Sequence, residues 1–272
     1  MTGESSNGEE LLRRLNTAVP HPARVYDVWL GGKDNYPADR AAAAAGLEAF
    51  PSTIQSVRAN RAFLARAVEY LAAEEGIRQF LDIGTGLPSA NNTHEVAQVT
   101  AEESRVVYVD NDPVVMLHAQ ALLTSTAPGV TDYIEADLRD PATILAEARR
   151  TLDFTQPVAI MLIAILHFIS DDDHPYEIVN SLMDAVPPGS FLVVSHLASD
   201  IFPEELAAFA RDFNSRSSEK VTLRNRDEVA RFFTGLNLVD PGVVEVSKWR
   251  PRSELEAAAA NAVWCGVARK TA

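Results

Sequence analysis

The strongest constraint on how this chain folds is a rhythm that runs from residue 80 to residue 196. Five apolar runs of strand length, FLDIG (80–84), RVVYVD (105–110), DYIEAD (132–137), VAIMLIA (158–164) and SFLVVSH (190–196), are separated by NTHEVAQVTAEE, PVVMLHAQALLT, PATILAEARRTL and YEIVNSLMDAV, which read as helices. Parallel strands need crossovers long enough to hold a helix, so this alternation predicts a parallel sheet covered on both faces. The ending breaks the rhythm. GVVEVSKW and AVWCGVAR carry two strands with no good helix between them, which predicts a closing antiparallel hairpin on an otherwise parallel sheet.

Ahead of the first strand the period is helical. In VRANRAFLARAVEYLAAEEG the apolar residues Phe63, Leu64, Ala67, Val68 and Leu71 recur at spacings of one, three and four, and Gly76 stops the helix. Residues 1–18 are polar without apolar periodicity and read as a flexible leader with a short helix at EELLRRL. The expected organisation is that leader, a helical cap over 19–77 and a sheet domain over 78–272.

Composition narrows the function classes. A chain of 272 residues that is 47% hydrophobic can bury a full core. Its net charge of -14 disfavours a nucleic-acid partner, because phosphate backbones are held by basic patches. Arg58, Arg61 and Arg66 fall on one helical segment and are expected to form solvated pairs with nearby acids. Cys265, the single cysteine, sits in an apolar run and reads as a core residue. No apolar stretch reaches the ~18 residues that span a bilayer, and MTGESSNGEE lacks the layout of a signal peptide, so a cytoplasmic protein is expected. His21, His94, His118, His174 and His196 show no metal-ligand pattern, and the acidic run at 171–173 reads as a loop and helix N-terminus.

In an open α/β sheet, ligands lie beyond the carboxyl ends of the strands, so the strand-end residues carry the functional signal. The first strand ends in DIGTGLPS, where Gly84 and Gly86 permit a sharp turn and a close approach to a ligand. A dinucleotide fingerprint would place a third glycine two residues after Gly86 and start its helix at once. Here Pro88 and Ser89 follow, and the helix is expected later, with Asn92 as N-cap and Glu95 completing a capping box. The second strand ends in Asp110, placed to accept from ribose hydroxyls, which fits either NAD or S-adenosylmethionine. The third ends in EADL, where Asp137 can accept from an exocyclic amine such as adenine N6, with the Leu138 backbone beside the ring.

With DIGTG, VDNDP and EADL in this order, residues 78–270 resemble the class I S-adenosylmethionine-dependent methyltransferases. More narrowly, HPARVYDVWLGGKDNYPADR, DIGTGLPSANNTHEVAQ and LHFISDDDHP resemble a bacterial family of S-adenosyl methyltransferases whose acceptors are largely unknown, over nearly the whole chain. The resemblance implies a Rossmann-like seven-stranded mixed sheet flanked by helices, an N-terminal helical lid, and S-adenosyl-L-methionine as cofactor. It places Gly84, Thr85 and Gly86 against the methionine part, Asp82 near its ammonium, Asp110 on the ribose, Asp137 and Leu138 at adenine, and Ala164 at the fourth strand end; Asn111 reads either as a contact near adenine or as a turn residue of Asn-Asp-Pro.

The fourth strand runs into AILHFISDDD, without the Asn-Pro-Pro type motif common in amine-directed enzymes. His167 is the candidate general base there, since an imidazole titrates near neutral pH. The segment VYDVWLGGKDNYPADR combines Tyr26, Trp29 and Tyr36 as walls, Gly31 and Gly32 as a turn, and Arg24, Asp27, Lys33 and Asn35 as polar groups, the make-up of a lid. Arg24 and Lys33 suit the methionine carboxylate, with Tyr26 and Asn35 beside them. Asp27 and Tyr36 join His167 as catalytic candidates. The expected function is methyl transfer to oxygen or carbon of a small molecule, with a non-catalytic S-adenosylmethionine or S-adenosylhomocysteine sensor of the same fold as the alternative. A nucleotide-dependent dehydrogenase is the more distant rival.

Overall fold

The computed structural model describes residues 17–217 and 219–271. The expected helix at EELLRRL, and the leader up to residue 16, lie outside the described residues.

Five parallel strands form the body of one sheet: β1 (Gln79–Ile83), β2 (Arg105–Asp110), β3 (Val130–Glu135), β4 (Ala159–Ile163) and β5 (Phe191–Leu197). Two-residue strands β6 (Asn237–Leu238) and β7 (Val244–Glu245) pair antiparallel with β8 (Val263–Arg269), which itself runs antiparallel to β5 from Phe191↔Arg269 to Leu197↔Val263. The order is β3-β2-β1-β4-β5-β8-β6, with β7 also on β8. The sheet therefore has eight strands, one more than expected. GVVEVSKW contributes only two strand residues before a 3-10 turn, and β6 occupies the adjoining stretch of β8.

The chain builds outward from β1 to β3, then crosses to β4 and builds the other way, so the order reverses between β1 and β4. That reversal opens a crevice at the carboxyl ends of these two strands. β1 and β4 are buried throughout, and their alternate residues feed two cores. Phe80, Tyr108, Met161 and Val193 face one, whereas Leu81, Val107, Ile160 and Leu192 face the other.

Helices α1 (Pro22–Leu30), α2 (Pro37–Ala49) and α3 (Thr53–Ala73) precede the sheet, and α4 (Thr93–Thr100), α5 (Pro113–Leu122), α6 (Pro141–Ala148) and α7 (Pro175–Asp184) connect its strands. Helix α3 lays Phe63, Leu64, Ala67, Val68 and Leu71 into the first core, as its period predicts. Gly76, at φ +69°, follows its end. Helix α8 (Pro203–Arg216) packs against α1 and α2 in a third cluster that joins Val25, Trp29, Ala42 and Val57 to Leu206, Phe209 and Phe213.

Arg66 corrects one expectation. It is buried, donates from Nε to the Trp249 carbonyl at 2.9 Å and from Nη2 to the Val246 carbonyl at 2.6 Å, and pairs with Glu256. It ties α3 to the last third of the chain and is not a solvated ion pair. Cys265 is buried, and burial pushes its thiol well above the usual range.

Candidate functional site

At the end of β1 the chain turns through Gly84 (φ +79°) and Gly86 (φ +67°). A Cβ on Gly84 would stand 2.6 Å from Ile165 Cγ1, whereas one on Gly86 would meet nothing within 4 Å. The first glycine thus answers to packing and the second leaves space over the loop. The amides of Gly84 and Thr85 donate to the Val109 carbonyl at 2.8 and 3.2 Å, joining this loop to β2.

Asp110 completes the join. Its Oδ2 accepts from the Gly86 amide at 2.9 Å and its Oδ1 from the Asp112 amide at 3.0 Å. Burial raises its pKa, with these amides and His21 opposing the rise. Asp112 in turn caps α5 through the Val114 amide at 2.8 Å. Helix α4 begins only after Asn92, whose amide donates to Glu95 Oε2 at 2.8 Å, so the predicted capping box forms and no helix N-terminus adjoins the glycines. This geometry lacks the pyrophosphate seat of a dehydrogenase. Asp82 is buried at the end of β1, where Thr93 Oγ1 donates to its Oδ2 at 2.6 Å. Burial raises its pKa to about 6, against the pull of that hydrogen bond and of Arg61.

Asp137 and Leu138 follow β3. Asp137 accepts from the Arg139 amide at 2.8 Å and from its guanidinium, and Asn111 Nδ2 approaches at 3.4 Å. Ala164 ends β4 at φ +56°. Its amide donates to Ser195 Oγ at 2.9 Å, Ser195 Oγ donates to Asn60 Oδ1 at 2.6 Å, Asn60 Nδ2 donates to the Tyr26 hydroxyl at 3.0 Å, and that hydroxyl donates to the Val57 carbonyl at 3.3 Å. A chain of hydrogen bonds thus runs from the strand ends to α1. Asn60 and Ser195 were not singled out by sequence reasoning. The available signal was a polar residue on the buried stripe of α3, in phase with Phe63 and Leu64.

His167 sits in a 3-10 turn over Leu166–Phe168. Its Nδ1 is buried without a hydrogen-bond partner among the described residues. Burial, then His196 and Arg224, hold its pKa well below the usual value, so the ring is neutral at pH 7. Buried Arg224 fixes this turn by donating to the carbonyls of Leu166 (3.1 Å) and Ile169 (2.9 Å), to Asp171 Oδ1 (2.6 Å) and to His196 Nε2 (2.8 Å). His196 is a structural histidine whose Nδ1 reaches the Leu197 carbonyl at 2.8 Å and whose pKa burial lowers to about 3.

One cavity gathers these groups, with about 1620 Å³ of unfilled space including its open mouth. Asp82, Gly84, Thr85, Gly86, Asp110, Asn111, Asp137, Leu138, Ala164 and His167 all line it. The same wall carries the apolar side chains Trp29, Phe50, Val57, Phe168, Phe209 and Phe213, with ring centroids 6.0 Å apart for Trp29–Phe209 and 6.2 Å for Phe168–Phe213.

The helical segment divides. Tyr26, Asp27 and Trp29 line the cavity, joined by His21, which sequence reasoning set aside. Arg24, Lys33, Asn35 and Tyr36 do not. Asp27 accepts from Asn35 Nδ2 at 2.9 Å and from the Asp34 amide at 3.1 Å, closing the turn after α1, and a Cβ on Gly32 would fall on its carboxylate. Tyr36 precedes α2, with the Arg24 guanidinium 5.4 Å from its ring centre. Arg24 Nε lies 3.6 Å from both Asp39 and Asp112, and Lys33 is exposed on the turn. The cause is phase: the face of α1 that turns inward carries residues 22, 23, 26, 27, 29 and 30, and the turn at 31–36 passes beyond it. Among the described residues no group of His, Cys, Asp and Glu could hold a metal ion, and no helix is long and apolar enough to cross a membrane.

The profile of a family described as S-adenosyl methyltransferase matches residues 8–271. A DUF574 family protein from Streptomyces avermitilis is 47% identical, with a TM-score of 0.91 over 94% of this chain and 99% of its own. A Thermobifida fusca protein assigned as a methyltransferase is 40% identical, with a TM-score of 0.87 over 95% and 97%. An O-methyltransferase family 2 protein from Planctomyces limnophilus, solved with apigenin, is 16% identical with a TM-score of 0.51 over 86% and 67%, a likeness of fold alone. No curated protein is significantly similar to the chain.

Proposed function

From the premise that this chain belongs to the S-adenosyl methyltransferase family and is an S-adenosylmethionine-dependent methyltransferase, we propose that its acceptor is a small, largely apolar aromatic molecule methylated on oxygen or carbon. The observation that carries the reading is the make-up of the cavity wall, which holds the acidic strand ends, His167 and the aromatic side chains Trp29, Phe50, Phe168, Phe209 and Phe213 together.

The donor set fits the cofactor. S-adenosylmethionine supplies a methyl group on a positively charged sulfur, which needs no metal to make it electrophilic. Asp110 would accept the ribose hydroxyls, since each carboxylate oxygen has a second lone-pair direction beyond the amide it already holds. Asp137 and the Leu138 backbone would border adenine, Gly86 leaves the loop open to the methionine part, and Asp82 would face its ammonium. Much of the rate then comes from holding donor and acceptor in line.

His167 supplies the proton acceptor. A neutral imidazole on the cavity wall can take the proton of an acceptor hydroxyl as its oxygen gains the methyl group. Because its basicity is lowered by burial, it suits a hydroxyl that is itself acidic, as on an aromatic ring. The aromatic wall offers ring faces and little charge, which suits neither a polyanion nor a peptide chain. The test is transfer of labelled methyl from S-adenosylmethionine to panels of hydroxylated aromatics, total RNA and denatured protein. Label in the aromatics is the expected result. Label chiefly in RNA, in a salt-sensitive reaction, refutes the acceptor class.

A further inference from the structure

Residues 41–45 of α2 are alanines, the best helix former, and Gly46 breaks the run before the helix ends. A glycine inside a helix is destabilising relative to alanine, and Gly46 is not in the left-handed region that would call for one. Its neighbours supply the reason. A Cβ on Gly46 would stand 2.9 Å from Trp29 Cζ2 and 3.1 Å from Phe209 Cε2. The indole is held there, because Trp29 Nε1 donates to the Ala43 carbonyl at 3.0 Å, one turn earlier on the same helix. The buried face of α2 is Asp39, Ala42, Ala43 and Gly46, so beyond Asp39 it has no bulk of its own, and one ring from α1 and one from α8 lie on it.

Both rings line the cavity, and from them a row continues along its wall. Phe209 and Phe213 have centroids 5.8 Å apart, Phe213 and Phe168 6.2 Å, and Phe168 is the residue after His167. Four neighbouring rings offer more apolar surface than one six-membered ring can cover, and the gain from apolar burial rises with the area covered. A row of this length matches a flat acceptor of two or more fused rings. A side chain at position 46 would push Trp29 and Phe209 off α2, and in a close-packed interior the open cavity is where they can go.

We propose that the acceptor is a fused-ring aromatic molecule and that Gly46 is the positioning residue that keeps the wall far enough back to admit it. The proposal rests on the aromatic-acceptor reading given above, and adds to it the size of the acceptor and the residue that sets that size. Gly46 acts only through Trp29 and Phe209.

Phenol and 2-naphthol, one ring and two, are the probes, in titration calorimetry on protein saturated with S-adenosylhomocysteine. The wild type is expected to bind 2-naphthol about tenfold or more tighter than phenol, and equal affinity overturns the fused-ring class. Gly46→Ala should weaken 2-naphthol about tenfold to a hundredfold, change phenol less than about twofold and leave S-adenosylhomocysteine affinity as it was. Adding Trp29→Phe, which removes the ring atom that the new Cβ meets, should recover most of the loss. Unchanged 2-naphthol affinity in Gly46→Ala, or equal weakening of both probes, would make Gly46 a helix-packing residue and overturn its role while the aromatic-acceptor reading stands. Should Gly46→Ala alone fail to fold, the double variant, where the Cβ has room, is expected to fold and to bind 2-naphthol; its failure to fold overturns the link between Gly46 and Trp29. A wild type that binds S-adenosylhomocysteine and neither probe overturns the aromatic-acceptor reading, and this proposal with it.

Discussion

Replacing Asp110 by asparagine is nearly isosteric, yet the structure predicts a large effect. Both carboxylate oxygens accept from backbone amides, Gly86 on one side and Asp112 on the other. An amide side chain has one accepting oxygen, so whichever way it is turned, its NH2 group confronts a backbone N–H. A buried donor left without an acceptor costs about 1–3 kcal/mol. In a protein of this size each kcal/mol lowers Tm by about 2–4 °C, so the apo protein should lose about 2–12 °C. The substitution also removes a charged acceptor for ribose hydroxyls, worth about 1.5–3 kcal/mol per hydrogen bond, so S-adenosylhomocysteine should bind tenfold to a few hundredfold more weakly. Asp110→Ala should match it in affinity. Thermal melts and calorimetry on the three proteins check both parts. An asparagine variant with wild-type Tm would refute the two-amide argument, and one with wild-type affinity would remove Asp110 from the cofactor site.

His167→Ala should lower kcat about 10²- to 10⁴-fold with S-adenosylhomocysteine affinity nearly unchanged, once an acceptor is in hand; loss of cofactor binding instead would make the ring structural. Asp82 should show two opposed pH effects, because its folded pKa is raised to about 6. The folded state holds this proton more tightly than the unfolded chain, so the group's contribution to stability grows as pH falls through about 6 and is complete below the unfolded value near ~4. Cofactor affinity, which needs the ionised form, should fall over the same window; Asp82→Asn should remove both trends, and their persistence would exclude Asp82 as the source. Asn60→Leu should destabilise the protein by about 1–3 kcal/mol in urea unfolding, because it strands Ser195 and Tyr26, and a neutral result would show that water replaces Asn60 in that chain.

Most of the backbone was legible locally. The five parallel strands fall within two residues of their apolar runs, the capping box at Asn92 and Glu95 forms, and Gly76 follows the end of α3, because strand length, capping and left-handed turns are set by neighbours in sequence. The strand-end positions of Asp82, Asp110 and Asp137 follow from the same local patterns, since a parallel sheet delivers every such end to one edge. What the sequence could not express was which side chains meet across distance. Asn60 and Ser195 are bonded from 135 residues apart, and Arg66 reaches the Trp249 carbonyl across 183. The segment ahead of the sheet has a wall-forming composition, but its inward face was decided by the packing of Trp29 on Phe209 and of Val57 in the same cluster. That docking turned Tyr26 and Trp29 into the cavity, left Lys33 on an exposed turn, and brought Arg61, one of three similar arginines on one helix, to the cavity wall. A periodic pattern states that a helix has an apolar face. Only the rigid placement of that helix over the sheet decides which of its charged residues stands at the rim of that face, looking into the site.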